Sequence, residues 1–153
     1  MDDGSPDPLD AAVRPHDVGR ALREIARTVP VPVTVRGASM APVLRDGDQV
    51  VLESRSWYWP GDVVAFQRDD GWYVVHRVVG YRRLRGAWVV VTRGDAARTH
   101  DSPVRLDRVI GRVTGGSGGD RAARVRVGQR LLAWARFARL VAAFLARRVG
   151  LSR

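Results

Sequence analysis

Cysteine and lysine are both missing from the 153-residue chain. The first absence excludes disulfides and thiolate metal sites, and leaves the redox compartment unmarked. The second means that arginine carries all of the positive charge. Long apolar runs are absent too: no uncharged stretch approaches the ~18 residues needed to cross a bilayer. The N-terminus, Met1 to Asp10, is acidic and contains proline and glycine. It has neither the basic n-region nor the apolar h-region of a signal peptide. Histidine is scarce, with only His16, His76 and His100, so any imidazole chemistry must use one of three positions.

The composition is that of a globular chain, long enough for one domain with a real core plus an appended segment. The net charge of +10 favours anionic partners, phospholipid head groups or nucleic acid. Met1 to Pro15 reads as a disordered leader, residues 1–15. Within residues 16–30, Val18, Ala21, Leu22, Ile25, Ala26 and Val29 fall at helical spacing before Pro30, which predicts one short amphipathic helix. From 31 to 114 the pattern becomes short β-type runs bounded by Gly and Asp. They are Val31–Arg36, Gln49–Glu53, Asp62–Gln67, Trp72–Tyr81, Ala87–Thr92 and Val109–Val113. Their Val, Trp, Tyr and Thr content predicts a mainly β fold, an antiparallel barrel-like domain. Asp69-Asp70-Gly71 and Arg82 to Gly86 are its hairpin turns. Residues 115–123 read as a Gly/Ser linker, and 124–153 as a basic amphipathic helical tail.

On a helical wheel Leu131, Trp134, Phe137, Val141, Phe144 and Leu145 share one face of that tail, and Arg136, Arg139 and Arg147 lie away from it. A cationic helix with Trp and Phe on its apolar side suits the plane of an anionic membrane. Docking of the same face on the β domain is the plainer alternative, and both stay open. Spanning is disfavoured, because Arg136 and Arg139 would sit well inside the apolar layer at high cost. Basic residues bind phosphate without sequence selectivity, and no base-reading motif accompanies them. Nucleic acid is therefore the disfavoured partner.

The chemistry concentrates on Val35-Arg36-Gly37-Ala38-Ser39-Met40-Ala41-Pro42. A β run arrives at a glycine, and Ser39 follows on a turn that Pro42 stiffens. A serine on such a corner presents its hydroxyl and its own N–H to one spot, as a nucleophile with an oxyanion donor must. On its own it is equally an ordinary turn residue. His76 lies within Trp72-Tyr73-Val74-Val75-His76-Arg77-Val78-Val79, where alternation puts Val74, His76 and Val78 on one face. His16 and His100 fall where solvated roles are expected. Asp95 and Asp101 follow in the loop after the next strand, where an aspartate commonly caps a turn. A hydroxyl, an imidazole and a carboxylate in the order Ser39, His76, Asp101 suffice for nucleophilic catalysis if the fold brings them together.

Gly37-Ala38-Ser39-Met40-Ala41-Pro42 resembles the nucleophile box of type I signal peptidases and the related LexA-type self-cleaving peptidases. Arg45-Asp46-Gly47-Asp48-Gln49-Val50-Val51, Pro60-Gly61-Asp62-Val63-Val64-Ala65-Phe66, Val75-His76-Arg77-Val78, Thr92-Arg93-Gly94-Asp95-Ala96 and Gly111-Arg112-Val113 resemble the later boxes of that superfamily, in order. The histidine stands where most bacterial signal peptidases carry a lysine. The resemblance is thus to the Ser-His branch of endoplasmic-reticulum, archaeal and sporulation-type enzymes, and a chain without lysine has no Ser–Lys dyad.

The resemblance implies Ser39 as nucleophile, His76 as general base and Asp101 as orienting acid. It implies supporting roles for Gly37, Met40 and Asp95, with Asp95 the second choice for the triad. The Ser39 N–H would serve the oxyanion. The serine that some relatives carry two residues before the nucleophile is Gly37 here, so a second donor is unassigned. No metal or cofactor is implied. The expected partner is a peptide or precursor-protein substrate. The site of action would be the cytoplasm or the inner face of the membrane, held peripherally through Trp134, Arg136, Phe137, Arg139 and Phe144. Neither the membrane span of signal peptidases nor the DNA-binding domain of LexA-type proteins accompanies the match, so a small stand-alone catalytic body is expected. Two other readings stay open: a non-catalytic peptide- or membrane-binding module, and a LexA-like regulatory self-cleaving peptidase.

Overall fold

A computed structural model of the protein describes residues 15–123, together with Ala135 and Ala138. The first element is bracketed by prolines. Helix α1 (Pro15–Thr28) begins on a residue that lacks an N–H where none is needed, and it stops before Pro30, which disfavours helical angles at Val29. Its buried face differs from the apolar stripe of the sequence: Ala26 and Gly19 are buried, whereas Val18, Ile25 and Val29 are 38–51% exposed. Small residues set that choice. A Cβ at Gly19 would lie 3.0 Å from Gln67 Oε1, and the Ala26 carbonyl accepts from Ser54 N–H at 2.8 Å. The helix therefore sits close to the sheet on its small side chains.

Seven strands follow: β1 (Val31–Thr34), β2 (Gln49–Glu53), β3 (Val63–Gln67), β4 (Tyr73–Leu84), β5 (Ala87–Arg93), β6 (Val104–Arg105) and β7 (Val109–Gly115). They form one antiparallel sheet in the order β1-β2-β7-β3-β4-β5-β6. The mainly β antiparallel fold read from the sequence is the fold found. Its barrel is a curled half-barrel, with β1 and β6 as edges. Pro32, which has no N–H to give to a neighbour, sits on the β1 edge, where strand proline is tolerated. Strand β6 and the short 3-10 turn after it (Leu106–Arg108) carry no sequence signal, because two paired residues are too few for a period.

The final strand, β7, inserts between β2 and β3, and this burial explains the unalternating run at β3. All five residues of β3 are buried. Val63 and Ala65 face one cluster with Met40, Leu44 and Leu52, and Val64 and Phe66 face another with Tyr58, Val78 and Tyr81. A strand covered on both faces reads as continuous apolar sequence.

The Gly/Ser stretch at 115–123 is packed against the sheet. Its residues turn back against β2, and Gly119–Ala123 form helix α2 with Ala122 buried. Arg121 donates to Asp48 Oδ2 at 2.8 Å. A Cβ at Gly116 would lie 2.4 Å from Gln49 O, and one at Gly118 would lie 2.6 Å from Asp48 Oδ2. These glycines answer to close approach of the backbone, not to flexibility. The hairpin placed at Arg82 to Gly86 is tighter than expected. Strand β4 runs to Leu84, and the turn is Arg85-Gly86, both at positive φ (48° and 82°). Trp134, Arg136, Phe137, Arg139 and Phe144 lie outside the described residues, as does the leader up to residue 14. Among the described residues no helix is long and apolar enough to cross a membrane.

One side chain locks the loop between β2 and β3 onto β4. The buried Tyr81 hydroxyl donates to the Tyr58 carbonyl and accepts the Tyr58 N–H at 3.2 Å. Its ring stacks on Trp57 with centroids 4.0 Å apart. Burial pushes the phenol well above its ordinary pKa, so it stays a neutral donor. Tyr81→Phe strands both backbone groups of Tyr58, and a buried unsatisfied group costs about 1–3 kcal/mol. Urea unfolding of this variant should show a loss of that order with the slope unchanged.

Candidate active site

The corner that carries Ser39 is held at both ends by its own backbone. Val35 N–H donates to Asp48 O at 2.8 Å, and Gly47 N–H to Val35 O at 3.0 Å. Gly37 takes φ +85° with empty space around a would-be Cβ, so conformation alone calls for glycine there. Its N–H donates to Asp46 Oδ1 at 2.8 Å. Ala41 N–H to Ala38 O and Leu44 N–H to Met40 O, both at 3.0 Å, wind the chain into successive turns, and the Ala41–Pro42 peptide is cis. Met40 and Leu44 are buried in the core and anchor the corner from below, while Ser39 between exposed Ala38 and buried Met40 faces outward.

Strand β4 supplies the imidazole. Pairing of Val64 with His76 fixes its height in the sheet, and the Phe66 ring lies edge-on to it at 6.2 Å. His76 is 8% exposed. Its Nε2 is 3.0 Å from Ser39 Oγ and its Nδ1 is 2.7 Å from Asp101 Oδ2. A carboxylate only accepts, so Nδ1 carries the proton and Nε2 accepts from the serine hydroxyl. This is the order in which an imidazole can take a proton from a hydroxyl while a carboxylate holds its tautomer.

The two carboxylates have separate partners. Asp95 is engaged by Arg77, Nε to Oδ1 at 2.8 Å and an Nη to Oδ2 at 2.6 Å, and Arg77 also reaches the Gly61 carbonyl at 2.8 Å. The bidentate pair engages both carboxylate oxygens of Asp95. Asp101 Oδ2 accepts from Thr92 Oγ1 at 2.7 Å as well as from His76. Burial pushes the Asp101 carboxyl up. The bonds from His76 and Thr92, with the positive charge of Arg68 nearby, outweigh that and hold it below the usual carboxylate range.

Residues 27–101, which contain Ser39, His76 and Asp101, match a family model described as Peptidase S24-like. That region belongs to the LexA/signal peptidase-like serine peptidase superfamily. A search of curated proteins finds no match to the chain. The S24-like region takes its serine from the β1–β2 corner, its histidine from mid-β4 and its aspartate from the loop after β5. Three segments far apart in sequence meet because the sheet curls. Exposed His100 has no part in it. No group of three His, Asp or Glu residues among those described is placed to hold a metal ion.

Two cavities border this region of the S24-like fold. The larger, about 810 Å³, is lined by Asp101, Val89, Val104 and the arginines 68, 85, 105 and 108, but neither Ser39 nor His76 opens into it. The smaller, about 480 Å³, reaches Ser39 along β1 and is floored by Leu52, Ala65 and Ile110, with Leu22 and Trp72 at its sides. Of these two, the second is the one that Ser39 lines.

Gly94 lies within the box Thr92-Arg93-Gly94-Asp95-Ala96, but the reason for a glycine there is visible only in three dimensions. A Cβ there would lie 2.7 Å from Ser39 O and 3.1 Å from His76 Nε2, and two residues on, Ala96 N–H donates to that same Ser39 carbonyl at 2.9 Å. Gly94→Ala must therefore push the serine and the imidazole apart. Misplacement of about 1 Å can cost on the order of 100-fold, so the rate of Ser39 acylation by a fluorophosphonate should fall by about that factor while the thermal transition is retained.

The lowered Asp101 value has a sign. Its charged form adds stability in full above the ordinary carboxylate value of about 3.9, and that contribution is lost as pH falls through the lower folded value. Below about pH 4 the thermal midpoint of the wild type should fall more steeply than that of Asp101→Asn. Parallel curves would show that the fold does not favour the charged form.

Proposed function

We propose that the protein is a serine endopeptidase of the signal peptidase type, cleaving an extended segment of a secreted or precursor protein. The observation that carries the reading is the hydrogen-bonded file Ser39–His76–Asp101 within an S24-like match. In the first step Ser39 Oγ attacks the scissile carbonyl carbon and its proton passes to His76 Nε2. Asp101 stabilises the imidazolium that forms, and the Ser39 N–H donates to the developing oxyanion. His76 then protonates the leaving amine. Water, deprotonated by the same imidazole, attacks the acyl-enzyme and restores the serine.

The shape of the substrate follows from the edge strand. Among the described residues β1 pairs only with β2, and it borders the groove that reaches Ser39. A peptide laid extended beside it gains main-chain hydrogen bonds from the edge and apolar contact from Val31, Val33 and Ala65. By resemblance to signal peptidases, small side chains just before the scissile bond are the expected preference.

Treatment with a serine-acylating inhibitor, a β-lactam or a lipopeptide-type agent, separates this reading from a non-catalytic module on the same fold. Intact-mass spectrometry should find one adduct on the wild type and none on Ser39→Ala. His76→Ala should react at least 100-fold more slowly, in the range set by loss of general-base assistance, about 10²–10⁴. An adduct on Ser39→Ala would remove Ser39 as the nucleophile. No adduct on the wild type with either class of agent or with a fluorophosphonate would favour the binding module.

A further inference from the structure

Behind Asp101 lies a hydroxyl that the proposed reaction does not use directly. Thr92, near the end of β5, is 0% exposed. It pairs with Val78 across the sheet, and Val78 is two residues on from His76, so all three side chains rise from one face. A strand position walled in by valines would ordinarily hold another valine, and a hydroxyl there needs a partner. Its partner is Asp101 Oδ2, at 2.7 Å, the same oxygen that meets His76 Nδ1 at 2.7 Å. The backbone repeats the link: Asp101 N–H donates to Thr92 O at 2.9 Å. One residue thus holds both the main chain and the carboxylate of Asp101.

The carboxylate needs such a hold because it stands at the end of a loop, with a quarter of its side chain (26%) open to solvent. A carboxylate held by one bond can rotate towards water. A second, buried donor on the same oxygen keeps it in place behind the ring. The hydroxyl also replaces hydration lost on burial, which favours the charged form.

We infer that Thr92 is a positioning residue for this site. Its hydroxyl fixes the Asp101 carboxylate so that Oδ2 faces His76 Nδ1 and Nε2 is left as the proton acceptor towards Ser39. The inference rests on the reaction proposed above.

Thr92→Val removes the hydroxyl and keeps a β-branched side chain suited to a buried strand; Thr92→Ser keeps the hydroxyl and trims the methyl. The measurements are the second-order rate of Ser39 labelling by a fluorophosphonate and the low-field proton resonance of the His76 Nδ1–H in the whole chain. Thr92→Val should label about 10- to 100-fold more slowly than wild type, the scale of a hydrogen bond to a charged group, and Thr92→Ser should stay within about threefold. The low-field resonance should weaken or move upfield in the valine variant and persist in the serine variant. A Thr92→Val protein that labels at the wild-type rate with its resonance in place overturns the inference. So does a Thr92→Ser protein that falls as far as Thr92→Val, since the methyl and not the hydroxyl would then matter. If the valine variant lacks a thermal transition, the serine variant decides: rate and resonance retained support the role, and their loss overturns it. Failure of the wild type to label is a different result, which removes the nucleophile reading itself.

Discussion

The register of β4 between β3 and β5 is the constraint on which the site depends. Val64 opposite His76 and Thr92 opposite Val78 put the imidazole and the residue behind its carboxylate on one face of two neighbouring strands. A slip of one residue would turn His76 to the other face and aim Arg77 at Ser39 instead. The pairing is secured by burial. Val64, Phe66, Val78 and Val90 belong to one fully packed cluster, and Val63 and Ala65 pin β3 from the other side. A strand with two apolar faces gives no freedom to slide, and the histidine inherits that rigidity.

The serine is fixed differently, by hydrogen bonds and not by a ladder. Its corner is closed by the Val35–Asp48 and Gly47–Val35 backbone bonds and by Asp46 on the Gly37 N–H. It is anchored below by Met40 and Leu44. From above, Gly94 approaches with no side chain, and Ala96 N–H holds the Ser39 carbonyl. The loop that carries the carboxylates therefore also presses on the serine. Arg77 and Asp95 tie that loop to β4, which joins the positions of serine, histidine and aspartate into one mechanical unit.

Charge is sorted over short distances. Asp95 and Asp101 stand six residues apart, yet one is neutralised by a guanidinium and the other faces an imidazole and a hydroxyl. The first is a brace. The second keeps its charge where burial alone would discourage it, because two donors converge on a single oxygen. An arginine-only chain suits the first task, since a planar fork can grip a carboxylate and a carbonyl together, as Arg77 does.

Much of this was legible in the sequence. Alternation placed His76 on a buried face, turn chemistry marked the Ser39 corner, and the strand runs at 49–53 and 87–92 fell within a residue of their observed ends. These signals are local, and local propensity fixes them. What lay beyond the sequence depends on approach between distant segments. Whether Asp95 or Asp101 stands behind His76 follows from where Arg77 reaches. Gly94, Gly116 and Gly118 read as loop or linker glycines until the atoms packed against each are known. The exposed Val18, Ile25 and Val29 follow from α1 docking by its small residues. The two-residue strand β6 forms only because β5 offers an edge. By itself the sequence determined the types of side chain and the local corner, strand and helix that bear them. Only the curl and register of the sheet decided which of them touch, because hydrogen-bond geometry within 3 Å is set by packing between residues tens of positions apart.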